Sequence, residues 1–227
     1  DTFFSGWGEA NTDLGYKYRL SARFYGLLGI NYYNYSNPID NNGDGFTDLT
    51  LQDRLSIFNK FKFGDKLSLA TRCVYDARGG GQMNWSSKHK GGDQVYGESI
   101  YTARIEAFGN YQFNSNLSLQ FSFNDHNQNS VYGTTLFNAK QFIGFGQMIW
   151  SKTLQKNDFL IGLAYRYTYY DDDTSAVYNN NASVTHLPGV FLQNETKIDA
   201  SNTLLLGLRY DHNSIHGSIF TPRINYK

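Results

Sequence analysis

LTLQDRLSIFNKFKFGDKLSLATRCVYD (49–76) contains two strands and the turn between them. Leu49, Leu51, Leu55, Ile57, Phe61 and Phe63 oppose Thr50, Gln52, Arg54, Ser56, Lys60 and Lys62. Gly64-Asp65 breaks the pattern, and Leu67, Leu69, Thr71, Cys73 and Tyr75 then oppose Ser68, Ala70, Arg72 and Asp76. Successive strand side chains point to opposite faces of a sheet. One face of this hairpin is therefore apolar along its whole length, and the other is polar and charged.

The same split recurs on both sides of the hairpin. Upstream, Tyr16, Tyr18, Leu20, Ala22, Phe24, Leu28, Ile30 and Tyr32 read as one long strand face, opposed by Lys17, Arg19, Ser21, Arg23 and Asn31. Downstream come Tyr101 to Phe113, Leu117 to Phe123, Phe159 to Tyr169 and Leu204 to Tyr210. Residues 140–151 stay ambiguous, with Ile143, Phe145 and Ile149 competing against Phe142, Met148 and Trp150. About ten strands are expected between Tyr16 and Lys227, with a partial one in 1–9 before a turn at Asn11–Gly15.

The connections alternate in length. Long polar segments are expected at 34–48, 76–98, 125–139, 171–189 and 211–218, separated by short turns at Gly64-Asp65, Asn114–Asn116, Thr153–Asn157 and Asp199–Asn202. Segregating long loops to one end and tight turns to the other is the habit of bacterial outer-membrane barrels. A soluble sandwich or lipocalin-like barrel also alternates, but it buries one face in a core and has no need of aromatic residues at both strand ends. The expected fold is all-β, an antiparallel up-and-down transmembrane β-barrel. It is expected to be partial, because lipid-facing strands left unpaired would expose backbone groups to hydrocarbon.

Composition is consistent with this. Twenty basic and twenty acidic residues balance, which gives no basic stripe for nucleic acid. Aromatic residues make up 17% of the chain against only three prolines, a bias suited to strands. The longest run without a polar side chain, near Phe24–Ile30, is far short of the roughly 20 residues of a membrane helix. Cys73 is the only cysteine, so a disulfide framework is absent. No leader peptide is recognisable at Asp1, and the sequence is expected to be a mature or internal piece of a longer chain.

Function is then expected in the loops. Asp40-Asn41-Asn42-Gly43-Asp44-Gly45 has the D-x-N-x-D-G spacing of a calcium loop, and Asp48 could add a ligand. Position 12 is Leu51 and a strand follows, so this is not an EF-hand. Asp40, Asn42, Asp44 and Asp48 are the candidate metal ligands, against the plainer reading of an Asn/Gly/Asp turn. Asp171-Asp172-Asp173 is a second acidic run, more simply read as solvated charge. All five histidines, His89, His126, His186, His212 and His216, fall in expected outer loops, where imidazole could meet a metal chelate. Trp85 and Tyr132 complete the candidate ligand-binding set, and polar loop residues without a ligand are the plainer alternative. No hydrolase elbow, zinc motif or phosphate-binding loop is present, so no catalytic residue is expected.

Several stretches together resemble the barrel region of TonB-dependent outer-membrane receptors of the Bacteroides group. They are NGDGFTDLTLQDRLSIFNKFKF (42–63), GGQMNWSSKHKGGDQVYGESIYTARIE (80–106), HNQNSVYG (126–133), AYRYTYYDDDT (164–174), THLPGVFLQNE (185–195) and LLLGLRYDHNSIHGSIFTPRINYK (204–227). RYDHNSIHGSIFTPR is the most specific of these. The resemblance implies a 22-stranded barrel in a Gram-negative outer membrane, with 1–227 supplying about 10 to 11 strands. It implies a separate N-terminal plug domain as partner, TonB acting through that plug, and import of a scarce small molecule such as cobalamin or an iron-siderophore. A surface lipoprotein is a further implied partner. Arg19, Arg23, Arg54, Arg72, Arg104 and Glu106 are expected to face the lumen and the plug. A passive porin or an outer-membrane enzyme is the alternative.

Overall fold

The computed structural model describes residues 1–174 and 182–227. They form one antiparallel sheet in which every strand pairs with its sequence neighbours. The strands are β1 (Thr2–Phe4), β2 (Glu9–Arg19), β3 (Phe24–Tyr35), β4 (Leu51–Phe63), β5 (Leu67–Gly81) and β6 (Gly97–Gln112). They continue with β7 (Leu117–Tyr132), β8 (Thr135–Leu154), β9 (Asn157–Asp172), β10 (Ser183–Lys197), β11 (Thr203–Asn213) and β12 (Gly217–Tyr226). This is the up-and-down architecture expected, with twelve strands rather than ten or eleven.

Each difference in the strand count has a local cause. Tyr16–Tyr32 is not one strand but the β2–β3 hairpin, turned at 20–23 where the Ser21 hydroxyl accepts the amides of Arg23 and Phe24. The turn preserves parity: Tyr16 pairs with Leu28 and Leu14 with Ile30, so the apolar face reads continuously through it and hides the reversal. Asn11–Gly15, expected as a turn, lies inside β2. The expected loops at 125–139 and 211–218 are hairpins, joined only at Gly133-Thr134 and at 214–216. Gly133 has φ 59° and supplies the left-handed residue that so tight a turn requires. Their polar residues form the outer ends of long strands. β8 has 20 residues, about twice the 9–11 that cross a bilayer, so its polar end stands above the apolar section.

Register assigns every side chain to a face. Ile30, Ile57, Cys73 and Ile105 form one row across β3 to β6, and Arg54, Asp76 and Thr102 lie on the opposite face. The ambiguous segment in β8 is settled by its neighbours: Phe142 pairs with Tyr169, Met148 with Leu163 and Trp150 with Ile161, which puts these three on the apolar face and Ile143, Phe145 and Ile149 on the polar one. Of the seven buried residues other than glycine among those described, all but Val131 lie at polar-face parity, including Tyr35, Asp76 and Asp211. The polar face is thus the occluded inside of a curved sheet.

The outward face is banded by height. Toward the long-loop end its last aromatic residues are Tyr32, Tyr75, Tyr101, Phe123, Phe142, Tyr169, Tyr210 and Phe220, many in contact: Tyr75 meets Tyr101 edge-on at 4.9 Å, Phe123 meets Phe142 at 4.9 Å and Tyr210 meets Phe220 at 5.9 Å. Toward the tight turns Phe24 contacts Phe61 at 5.4 Å and Tyr111 contacts Phe113 at 4.9 Å. Phe159 to Tyr169 on β9 spans eleven residues, ten steps along the strand and about 25 Å when tilted as barrel strands are. That matches the height of an outer-membrane apolar band. Nitroxide labels at Leu55 and Arg54 are expected to differ sharply, the first accessible to oxygen in lipid and the second to an aqueous relaxation agent; equal accessibility would refute the register.

Candidate functional site

The inward face carries a series of polar clusters across β2 to β7. Strand alternation places Arg72 and Glu106 opposite each other, and Arg72 binds the Glu106 carboxylate through Nη2 at 2.5 Å and Nε at 2.6 Å. Asn124 donates to Glu106 at 3.2 Å, and Arg104 Nε lies 3.3 Å from it, buried without an aligned acceptor. One strand pair away, Asp76 accepts Gln52 at 2.9 Å and Arg78 Nε at 3.0 Å. Arg54 donates to Asn31 at 3.2 Å and stacks 5.6 Å from the Tyr33 ring, whose hydroxyl donates to Glu9 at 2.9 Å. Arg54, Arg72, Arg104 and Glu106 face inward as expected; Arg19 shares that parity and Arg23 sits in the turn. Carboxylates shared among guanidinium and amide donors are held in fixed positions, because each partner limits the rotamers of the next.

At the long-loop end this face opens into a cavity of about 360 Å³ lined by Thr47, Asp48, Gln52, Arg78, Tyr96 and Glu98, among others. Two loops build it. Residues 36–50 dock on the outer end of β5: the Thr47 amide donates to Gly81 O at 2.8 Å, the Gly81 amide donates to the Thr47 hydroxyl at 3.1 Å, and the Met83 amide donates to Gly45 O at 2.8 Å. Phe46 sits 6.4 Å from Tyr96 and closes the clasp. Gly80 leaves room for Thr47, since a Cβ there would lie 2.9 Å from the Thr47 hydroxyl. The Tyr96 hydroxyl donates to Glu98 at 2.5 Å, and that hydrogen bond holds its pKa above the ordinary phenol value. Tyr35, 2% exposed, has no partner for its hydroxyl among the described residues.

The 40–48 loop spends its carboxylates internally. Asp40 accepts the amides of Gly43 at 2.7 Å, Asp44 at 3.2 Å and Gly45 at 2.9 Å; Asp44 accepts Phe46 and the Asn42 side chain; Asp48 accepts Asn41. Gly43 and Gly45, at φ 74° and 84°, permit this winding. Among the described residues no three His, Cys, Asp or Glu side chains come together to hold a metal.

The candidate ligand residues scatter. Tyr132 pairs with Glu98 on the inward face but does not line the cavity; His126 pairs with Arg104 on the same face, deeper down. Trp85 lies instead on the outward side of β5–β6, where a Cβ on Gly97 would fall 2.2 Å from its indole. His89 Nδ1 accepts the Ser86 amide at 3.2 Å and caps a single 3-10 turn, Ser87–His89. His186 and His212 are on strands, not loops, and face outward; His186 Nδ1 is 2.7 Å from the Tyr165 hydroxyl. Only His89 and His216 are in connections, and the described histidines do not converge. Sequence reading missed Gln52, Arg78, Tyr96 and Glu98. The signal available was their place on the polar parity at strand ends flanking the two longest loops.

No family model matches the sequence, and no curated protein is similar to it. Solved structures are. A ferric enterobactin receptor variant from Pseudomonas aeruginosa, in complex with enterobactin, superimposes with a TM-score of 0.65 and 12% identity over 99% of this chain and 40% of that one. The fold is that of a β-barrel wall. The siderophore receptor PirA from Acinetobacter baumannii gives 0.64 and 12% over 98% of this chain and 39% of its own, and PiuA from the same organism 0.60 and 10% over 99% and 45%. This chain therefore spans less than half the length of the structures it matches. The likeness bears out the expected all-β, partial transmembrane barrel.

Proposed function

We propose that this chain is wall of a TonB-dependent receptor in the outer membrane of a Gram-negative bacterium, of the Bacteroides type, and that the whole protein imports a scarce nutrient, an iron chelate or cobalamin. It is a transport protein and not an enzyme. The outer cavity takes part in ligand capture, and the inward network receives the plug through which TonB acts. The observation that carries this reading is the division of one sheet into an aromatic-bounded apolar face and a charged, internally hydrogen-bonded face. A protein that only anchored in lipid would need the first and not the second. Siderophore receptors share the fold.

The test uses the full-length receptor in outer-membrane vesicles with ferric siderophores and cobalamin as probes. Arg78→Ala removes a cavity donor and leaves Asp76 short of a partner, and it is expected to weaken capture about tenfold. Energy-independent leak of unrelated solutes at the same rate as the probes would favour the porin reading and overturn this one. Calcium ordering of the 40–48 loop belongs to the same proposal: Asp44 and Asp48 would turn from loop donors to the ion. Equal ligand affinity in calcium and in chelator, in both wild type and Asp44→Ala, removes it.

A further inference from the structure

The outer cavity of about 360 Å³ spends most of its donors within the wall. Arg78 is the one cation among its lining residues, and its Nη2 and Nε lie 2.8 and 3.0 Å from Asp76 Oδ2. The Gln52 side-chain amide donates to the other oxygen of Asp76 at 2.9 Å, and the Tyr96 hydroxyl donates to Glu98 Oε1. Asp48 Oδ2 accepts the Asn41 amide at 2.8 Å. The atoms these bonds leave without a partner among the described residues are mostly acceptors: Gln52 Oε1, Glu98 Oε2 and Asp48 Oδ1. Against them stand the Thr47 and Thr50 hydroxyls and Arg78 Nη1, whose charge Asp76 balances. Asp48 and Glu98 therefore give the cavity a net negative sign.

That sign belongs to one end of the face. Near the long loops the inward side of β2 to β6 carries Glu9, Asp76 and Glu98, with Asp48 from the docked loop, against Arg54 and Arg78. Toward the tight turns the rows Lys17–Leu27–Lys60 and Arg19–Tyr25–Lys62 bring four cations together and no carboxylate. A solute arriving from the loop side meets the acidic end first. A recess lined by charges of one sign raises the local concentration of the opposite sign and opposes its own. The volume lies at the lower end of small-molecule sites and suits one arm of a large chelate.

We propose that this cavity selects its ligand by charge, taking a cationic or neutral arm rich in hydroxyl, amide or ammonium donors and turning away an anionic chelate of the ferric catecholate class. The proposal rests on the reading of the cavity as a capture site. Full-length receptor in outer-membrane vesicles is tested in EGTA, so that Asp48 is not drawn to calcium. The main probe is one ferric trihydroxamate at three charges: ferrioxamine B with its terminal amine free, acetylated or succinylated. Ferric enterobactin and cobalamin are the other two. Retention of the free amine should exceed that of the succinylated form about tenfold, with the acetylated form between them. Asp48→Asn combined with Glu98→Gln keeps the shape and removes the charge, and it should level the series. Glu195→Gln, inward at the tight-turn end, should leave the order unchanged. A flat or reversed order in wild type, or ferric enterobactin held more tightly than all three, overturns the proposal and leaves capture standing. If cobalamin alone is retained, a tenfold loss in the double variant supports the donor-rich arm and equal retention overturns it. Retention of none of the five probes overturns the capture reading, and the selection falls with it.

Discussion

Leu163→Arg is expected to destabilise the folded barrel by about 2–4 kcal/mol, the cost of a cationic side chain at the middle of the lipid face. Leu163 lies on β9 near the centre of the run from Phe159 to Tyr169, is 61% exposed, and pairs with Met148 on one side and Val190 on the other. Neither neighbour offers a counter-charge, and the aromatic rings that bound the band are too far along the strand for the guanidinium to reach water beyond them without distortion. Gln147→Arg is the matched control. Gln147 is a close neighbour on β8, but it faces inward beside Gln120, so its new charge is expected to cost less than about 1 kcal/mol. Urea titration of full-length receptor refolded into vesicles reads both. Equal costs at 163 and 147 would overturn the assignment of the two faces.

That assignment was almost entirely legible in the sequence, and the reason is physical. Side-chain parity is a local property with a period of two, so Leu55 against Arg54 or Ile105 against Arg104 needs no tertiary information. What failed was inference from polarity to loop. HNQNSVYGTTLFNAK reads as loop because both of its faces are polar, but above the membrane both faces of a strand meet water and alternation has no cause to persist. β7 and β8 therefore run on to Tyr132 and from Thr135. The β2–β3 reversal escaped notice for the opposite reason: its turn kept parity, and Leu20 and Ala22 extended the apolar series through it. The outer cavity was not legible either. Gln52 and Glu98 are distant in sequence and meet only because two hairpins and two docked loops place them at one height. The histidines drew attention by chemistry alone, and register then sent His126 inward and His186 and His212 outward.

The inward network should be as sensitive to a lost charge as the outward face is to a gained one. The Glu106 side chain is 16% exposed and accepts Arg72 and Asn124 while facing Arg104; the two arginine side chains are 41% and 35% exposed. In Glu106→Ala those two cations face each other across β5 and β6 with no anion between them, and Asn124 loses its acceptor. A fully buried charge left unpaired costs about 3–5 kcal/mol, but here the arginines can turn partly to water, so about 2 kcal/mol is expected. Glu106→Gln keeps an acceptor for Asn124 or one arginine and should cost roughly half as much. Because the site is half-buried, added salt should recover only part of the loss. Denaturant midpoints for the two variants at low and high salt decide the matter. A loss fully restored by salt would make Arg72–Glu106 a screened surface pair of little consequence. A loss that persists makes it a fixed part of the wall, with the arginines held in place for whatever fills the barrel.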